Sequence, residues 1–242
     1  MTNEGDNGKK RLPQPMRRSL GHRVASLVLP LKCLGCGQES DWLCRECAGS
    51  LRPPREDSCL LCRRYSPEGR GICPSCSRKT ALRGIVSPLA IKEPHLRELI
   101  HHIKYAGRID AIRFCAVWLG RWSLERLPKS FTLVPVPLSR ARQIQRGFNQ
   151  AELYAKAISG AQTPLKRYLV RTRETAPQVS LSRQDRSANV KNCFSSREKI
   201  PSEEVIVLVD DVVTTGSTLR EAARALRAAG AKQIWALTIA HG

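Results

Sequence analysis

At 242 residues the chain has room for one substantial domain plus a small one. Its 41 Lys and Arg against 21 Asp and Glu give a formal charge of +20, which points to polyanionic partners, either nucleic acid or phosphorylated small molecules. No apolar run approaches the ~20 residues that span a bilayer, so no membrane-spanning helix is expected.

Residues 1–19 are polar, with Gly, Pro and basic side chains, the composition of a disordered basic tail. Val24 to Leu31 is apolar and follows Arg17, Arg18 and Arg23. It is short, lacks a small-x-small cleavage site and leads directly into Cys33, so it reads as a helix packed on the next module rather than a signal peptide. A cytoplasmic protein is expected.

Eight of the ten cysteines form four Cys-x-x-Cys pairs: Cys33/Cys36, Cys44/Cys47, Cys59/Cys62 and Cys73/Cys76. A two-residue spacer lets both sulfurs of a knuckle face one ion, and two knuckles complete a tetrahedral thiolate site with no open position. Residues 20–80 are therefore expected to form the helix plus a double zinc-ribbon module holding one or two structural zinc ions. A disulfide framework is the competing reading and requires export. Sequential pairing of knuckles leaves a first loop of seven residues, short for a zinc ribbon, so interleaved pairing stays open. Cys115 and Cys193 stand alone and read as small core residues.

From Ala81 to the end, residues 81–242, the pattern is α/β. Gly84 to Ile91 reads as a strand, and Pro94 opens a helix with Leu96, Leu99, Ile100 and Ile103 on one face. Adjacent His101 and His102 diverge on that helix and do not make a joint metal site. Ala111 to Leu124 is a second helix, with Phe114, Val117, Trp118 and Leu119 as expected core. Phe131 to Val136 is the next strand, and a basic loop from Arg140 to Gln150 precedes a helix over 149–159. Leu165 to Val170 reads as a further strand. The polar stretch from Arg171 to Val190 is too long for an ordinary connection and suits a lid. Residues 131–200 carry 13 Lys and Arg against four acidic residues, which concentrates positive field in this part of the chain.

Five consecutive apolar residues, Val205 to Val209, then run into Asp210 and Asp211, as expected of a strand in a parallel sheet buried on both faces. Thr214-Thr215-Gly216-Ser217-Thr218 follows, and Leu219, Ala222, Ala223 and Leu226 recur at helical spacing until Gly230. Gln233 to Ala240 is the last strand. A small loop feeding a helix N-terminus suits a phosphate monoester, and two neighbouring carboxylates make sense facing vicinal hydroxyls or a magnesium-bound polyanion. A ribose 5-phosphate satisfies both halves.

The segment from Val205 to Thr218 resembles the phosphoribosyl pyrophosphate (PRPP) loop of type I phosphoribosyltransferases. With the cysteine pairs, Ile103-Lys104-Tyr105-x-Gly107 and Arg140-x-Arg142-x-x-x-Arg146-Gly-Phe-Asn-Gln150, the chain from about Leu27 to Ala240 resembles the ComF family. The resemblance implies a type I phosphoribosyltransferase-like parallel sheet flanked by helices, behind the N-terminal cysteine module. It implies that Asp210 and Asp211 hold ribose and that Thr214, Thr215, Gly216, Ser217 and Thr218 cradle the 5-phosphate. Arg140, Arg142 and Arg146 would take the pyrophosphate, magnesium would come with PRPP, and Lys104 and Tyr105 become phosphate-contact candidates. Arg171 and Arg173 would belong to a lid closing over PRPP, within an Arg-x-Thr-x-x-Gln pattern. The implied role is natural transformation, with cytoplasmic handling of incoming single-stranded DNA and competence machinery proteins as partners. A nucleotide-salvage transferase, or a single-stranded nucleic-acid-binding protein on an inactive scaffold, are the alternatives. Many phosphoribosyltransferases add a hood that recognises the acceptor base. Only His241 and Gly242 follow the last strand, so no C-terminal hood is expected, and the zinc module is expected to sit over the open edge of the site instead.

Overall fold

The computed structural model describes residues 12–15, 31–55, 57–160, 163–174 and 188–242. The expected helix before Cys33 and most of the expected lid (175–187) lie outside the described residues. At the centre is a parallel sheet in which strands β1 (Gly84–Val86), β7 (Gln233–His241), β6 (Val205–Val213) and β3 (Thr132–Pro135) are neighbours in that order, with β2 (Leu89–Ala90) also on β7. The expected strand over 84–91 is broken into β1 and β2 because Pro88, between them, has no N–H to give the ladder. At the β1–β7 pair Gly84 faces Trp235. A Cβ at Gly84 would lie 2.2 Å from Trp235 Cζ3, so only glycine admits the indole there.

Both faces of the sheet are covered, as the apolar run in β6 requires. Val207, Val209, Leu237 and Ile239 turn to one face, against α3 (Pro94–Tyr105), α4 (Ile109–Leu124) and α6 (Gln150–Ile158). Ile206, Leu208, Ile234 and Ala236 turn to the other, against α7 (Ser217–Ala228) and an antiparallel hairpin of β4 (Leu169–Arg171) and β5 (Phe194–Ser196). The strand expected over 165–170 is thus divided. Leu165 bridges to Leu133 at the sheet edge, while Leu169 onward leaves for the hairpin. Within α4, Trp118 and Leu119 are buried as expected, whereas Val117 is 64% exposed because it falls on the opposite side of the helix.

The cysteine module does not stand apart. Cys33, Trp42, Leu43, Ala48 and Leu51 join the apolar cluster on the first face; Cys59, Leu60, Leu61, Ile72 and Cys73 join that on the second. The two cysteine groups therefore grip opposite faces of one sheet. Of the expected tail over 1–19, only residues 12–15 are among the described residues. Leu12 is buried in the first cluster, the Pro13 carbonyl accepts the Trp118 indole N–H at 2.6 Å, and Gln14 Oε1 accepts from Arg45. No helix among the described residues is long and apolar enough to cross a membrane.

Candidate functional site

The pairing of knuckles is sequential. The ligand sulfurs of Cys33, Cys36, Cys44 and Cys47 lie within 4.8 Å of one another, as do those of Cys59, Cys62, Cys73 and Cys76. Cys36 Sγ to Cys44 Sγ is 3.8 Å and Cys62 Sγ to Cys73 Sγ is 3.7 Å. Four sulfurs held about 2.3 Å from a zinc ion sit about 3.8 Å apart, whereas a disulfide needs about 2 Å. The donor set fits zinc, and each group could hold one ion. A seven-residue loop is enough because Cys44 is itself the N-cap of α1 (Arg45–Ser50), so the second knuckle is a helix start. Cys73 likewise precedes α2 (Pro74–Thr80), with no side-chain cap bond but with Pro74 at the first helical position. Burial opposes the Cys33 thiolate, but the N–H groups of Cys44, Cys36 and Gly35 outweigh it and bring the thiol down to about 7. Backbone N–H groups of Cys73, Cys62 and Leu61 do the same for Cys59. Preformed acceptor sulfurs of this kind suit a cation.

The acidic pair sits within β6 rather than after it, because Asp210 continues the ladder opposite Thr238 of β7. The Asp210 carboxylate accepts the Asp211 N–H at 2.8 Å, and Lys104 Nζ at the end of α3 stands 3.3 Å from Asp211 Oδ2. Burial and the adjacent Asp211 carboxylate push Asp210 up to about 7, against the pull of the Asp211 N–H and Lys104. A half-buried pair of carboxylates, with Asp210 raised in this way, calls for hydroxyl donors or a cation.

Beyond the pair, the chain turns into α7 through Gly216, which caps the helix in the left-handed region at φ 71°. Thr215 and Ser217 hydroxyls are 3.0 Å apart, and Arg220 donates to the Thr215 carbonyl at 2.8 Å, so the loop is braced from behind. Asp210, Thr214, Gly216, Ser217 and Thr218 line one small depression at the positive end of α7. Leu61, on the second cysteine group, covers the back of the loop, since a Cβ at Gly216 would lie 2.3 Å from Leu61 Cδ2. Gly216→Ala is expected to cost about 1–2 kcal/mol from the left-handed backbone alone, read as a lower melting temperature. Adding Leu61→Ala should recover only the part due to the contact; full recovery would show that the backbone is unstrained.

The segment expected as a basic loop is instead a helix, α5 (Arg140–Arg146), capped by the Ser139 hydroxyl and stopped by Gly147 at φ 76°. Both signals stood in the sequence, a serine before and a glycine after, masked by the run of charge. The helix sorts its arginines. Arg146 lies over the Tyr105 ring at 5.2 Å and donates to Gln150 Oε1 at 3.1 Å, beside Lys104. Arg142 and Asp210 both lie close enough to act electrostatically on Arg171, whose pKa is lowered by burial first and by Arg142 next. Lys104 thus meets Asp211 directly and Tyr105 meets Arg146, while Arg142 and Asp210 each act electrostatically on Arg171.

Arg140 and Arg173 are placed differently. Arg140 is exposed, and its backbone N–H donates to Glu174 at 2.7 Å, tying α5 to the start of the long connection. Arg173 donates to the carbonyls of Asn189 at 3.0 Å and Lys191 at 2.8 Å, joining the two ends of that connection. Sequence reading missed Glu221, a buried carboxylate in α7 that accepts from Arg224 at 2.7 Å and from the Asn192 N–H at 2.8 Å. It lies about 150° around the helix from the Leu219, Ala222, Ala223 and Leu226 stripe, so helical periodicity gave no signal for its burial.

Residues 146–242, which include the acidic pair and the phosphate-type loop, match the phosphoribosyl transferase domain family. The chain is 31% identical over 228 residues to Competence protein F of Haemophilus influenzae, covering 80% of this chain and 95% of that protein. It is 33% identical over 229 residues to DNA utilization protein YhgH of Escherichia coli, covering 81% and 95%. Competence protein ComFC of Bacillus subtilis is 28% identical over 198 residues, covering 73% and 80%. With its four-cysteine groups and a parallel sheet ending in the acidic pair, the chain belongs to the ComF family, a phosphoribosyltransferase-like fold behind paired cysteine knuckles.

Proposed function

We propose that the chain binds PRPP or a related phosphoribosyl ligand with magnesium, and that it serves natural transformation through cytoplasmic handling of incoming single-stranded DNA. The observation that carries the ligand reading is the half-buried Asp210–Asp211 pair, with Lys104 3.3 Å from Asp211, opening onto the Gly216 turn at the N-terminus of α7. Asp210 and Asp211 accept the ribose hydroxyls, and the N–H groups and hydroxyls of Thr214 to Thr218 take the 5-phosphate. Arg142, Arg146 and Arg171 face the pyrophosphate, where planar guanidinium groups pair with phosphate oxygens. Magnesium, when bound, offsets pyrophosphate charge next to the two carboxylates. Transfer to an acceptor would break the bond between ribose C1 and pyrophosphate, and the three arginines would stabilise the departing charge. Arg140 and Arg173 hold the long connection at its base.

The DNA reading is supported by the +20 charge and by the names of the relatives, Competence protein F and DNA utilization protein YhgH. Nucleotide salvage remains distinguishable by steady pyrophosphate release with one nucleobase. Calorimetric titration of PRPP into the zinc-loaded protein tests the ligand reading. Saturable, magnesium-dependent heat is expected; its absence from folded protein would overturn the proposal and leave single-stranded DNA, at low salt, as the ligand to measure.

A further inference from the structure

On the second face of the sheet, a groove of about 510 Å³ runs between α2, α7 and residues 188–191. Six cationic side chains contribute to its wall, Arg78, Lys79, Lys191, Arg220, Arg224 and Arg227, against one acid, Glu221. They come from three separate parts of the chain. α7 supplies Arg220, Arg224 and Arg227 at spacings of four and three, which sets them in one stripe along the helix. α2 supplies Arg78 and Lys79 from its last turn, and Lys191 arrives at the end of the long connection.

Three of the six are anchored. Arg220 donates to the Thr215 carbonyl at 2.8 Å, Arg227 to the Ala81 carbonyl at 3.3 Å and Arg224 to the Glu221 carboxylate at 2.7 Å. A neutral carbonyl holds a guanidinium in place without cancelling its charge, so among these only Arg224 is offset by an acid. Arg78, Lys79 and Lys191 are exposed, and their side chains have no hydrogen-bond or ion-pair partner among the described residues. The helix dipole accounts for Arg78 and Lys79 at the end of α2 taken alone. It gives no reason for Lys191 and the α7 stripe to face the same space, where like charges repel until a polyanion enters. Among the described residues the wall has no aromatic ring and no unpartnered buried side-chain atom, so it has nothing with which to read a base. What it recognises is negative charge. Ser217 belongs both to this wall and to the depression at the start of α7, so the groove reaches the phosphate-type turn.

We propose that this groove carries the sugar-phosphate backbone of one nucleic-acid strand, with Arg78, Lys79 and Lys191 meeting phosphates and the anchored Arg220 and Arg227 adding fixed positive charge. The proposal rests on the DNA reading above, to which it adds the surface, and does not depend on PRPP binding. The volume is that of a small-ligand site, enough for part of a single strand and too little to enclose a duplex. Backbone contact without base stacking makes the binding indifferent to sequence.

Anisotropy of a labelled oligothymidine, titrated with zinc-loaded full-length protein, tests the surface. The parent is expected to bind with an affinity that falls steeply between roughly 50 and 200 mM salt. Arg78→Glu/Lys79→Glu should weaken that binding about ten-fold or more while melting as the parent does. Arg78→Ala/Lys79→Ala should make the salt slope shallower by about 1.4, the value for two single-strand phosphate contacts. Arg97→Glu/Arg113→Glu makes the same change in net charge at exposed positions of α3 and α4, on the other face of the sheet, and should bind as the parent does. Equal weakening by the two charge-reversed pairs would reveal a global charge effect and overturn the groove. Undiminished binding by Arg78→Glu/Lys79→Glu would also overturn it while leaving the DNA reading to another surface. No binding by the parent at low salt would overturn the groove and the DNA reading together. Polyglutamate displacing the strand as well as unlabelled oligothymidine does would make an acidic polypeptide the partner, and the proposal would fall.

Discussion

Asp210→Asn/Asp211→Asn is expected to lose PRPP–magnesium binding by about 100-fold or more, since two charge-assisted contacts are removed at about 1.5–3 kcal/mol each, yet to melt at a higher temperature than the parent at pH 8. The stability gain follows from linkage. Asp210 is raised from 3.8 to about 7 by burial and by Asp211. Between those values the folded state holds a proton that the unfolded chain has released, so stability falls as pH rises through the window and the cost is complete above it. Asparagine removes that dependence while keeping an oxygen to accept the Asp211 N–H. The melting-temperature difference between variant and parent should therefore grow from pH 5 to pH 8, and parent affinity for PRPP should rise more steeply over the same range than the variant's, whose remaining pH dependence comes from the ligand's own phosphate groups. Calorimetry and thermal melts at three pH values measure both. Undiminished PRPP binding by the variant would remove the acidic pair from the site, and a pH-independent melting difference would remove the strain ascribed to it.

Stripping metal is expected to have the largest effect on stability. Structural zinc contributes about 10–16 kcal/mol to folding of small cysteine modules, comparable to the whole stability of an ordinary domain at about 5–15 kcal/mol. Because the two groups grip opposite faces of the sheet, chelation should remove the cooperative thermal transition rather than only fray the first 80 residues. The groups should differ in their reach. Cys59→Ser loosens the knuckle whose Leu61 backs Gly216, so PRPP binding should fall even below the melting temperature; Cys36→Ser loosens the group on the α4 side and should leave PRPP binding near normal in the folded fraction. Melts and PRPP titrations of both variants, with zinc content measured alongside, test this. A chelated protein that melts as before and binds PRPP fully would show the groups to be without structural weight.

Much of the fold was legible because local chemistry and tertiary demand agree. Val205 to Val209 is too apolar to lie anywhere but inside a covered sheet, and Leu96, Leu99, Ile100 and Ile103 leave α3 one face to bury. The Thr214–Thr218 loop and the acidic pair were readable for the same reason: residues contiguous in sequence make the site. Where charge hid capping signals, as around Ser139 and Gly147, reading failed although the information was local. The strand at 84–91 failed because one proline outweighed eight residues of apolar pattern.

What the sequence alone determined is the inventory: two thiolate sets, a parallel-sheet strand with carboxylates near its end, a phosphate-type turn, and a family. Only the tertiary structure decided which knuckles pair, that each cysteine group belongs to a different face of one core, and that Lys104 meets Asp211. These depend on distances between residues far apart in the chain. Arg142 and Arg173 look alike in sequence, yet one stands near enough to Arg171 to act on it electrostatically while the other is held by the carbonyls of Asn189 and Lys191. Periodicity shows which face of an element is buried, whereas the partner met there is set by how the whole chain packs.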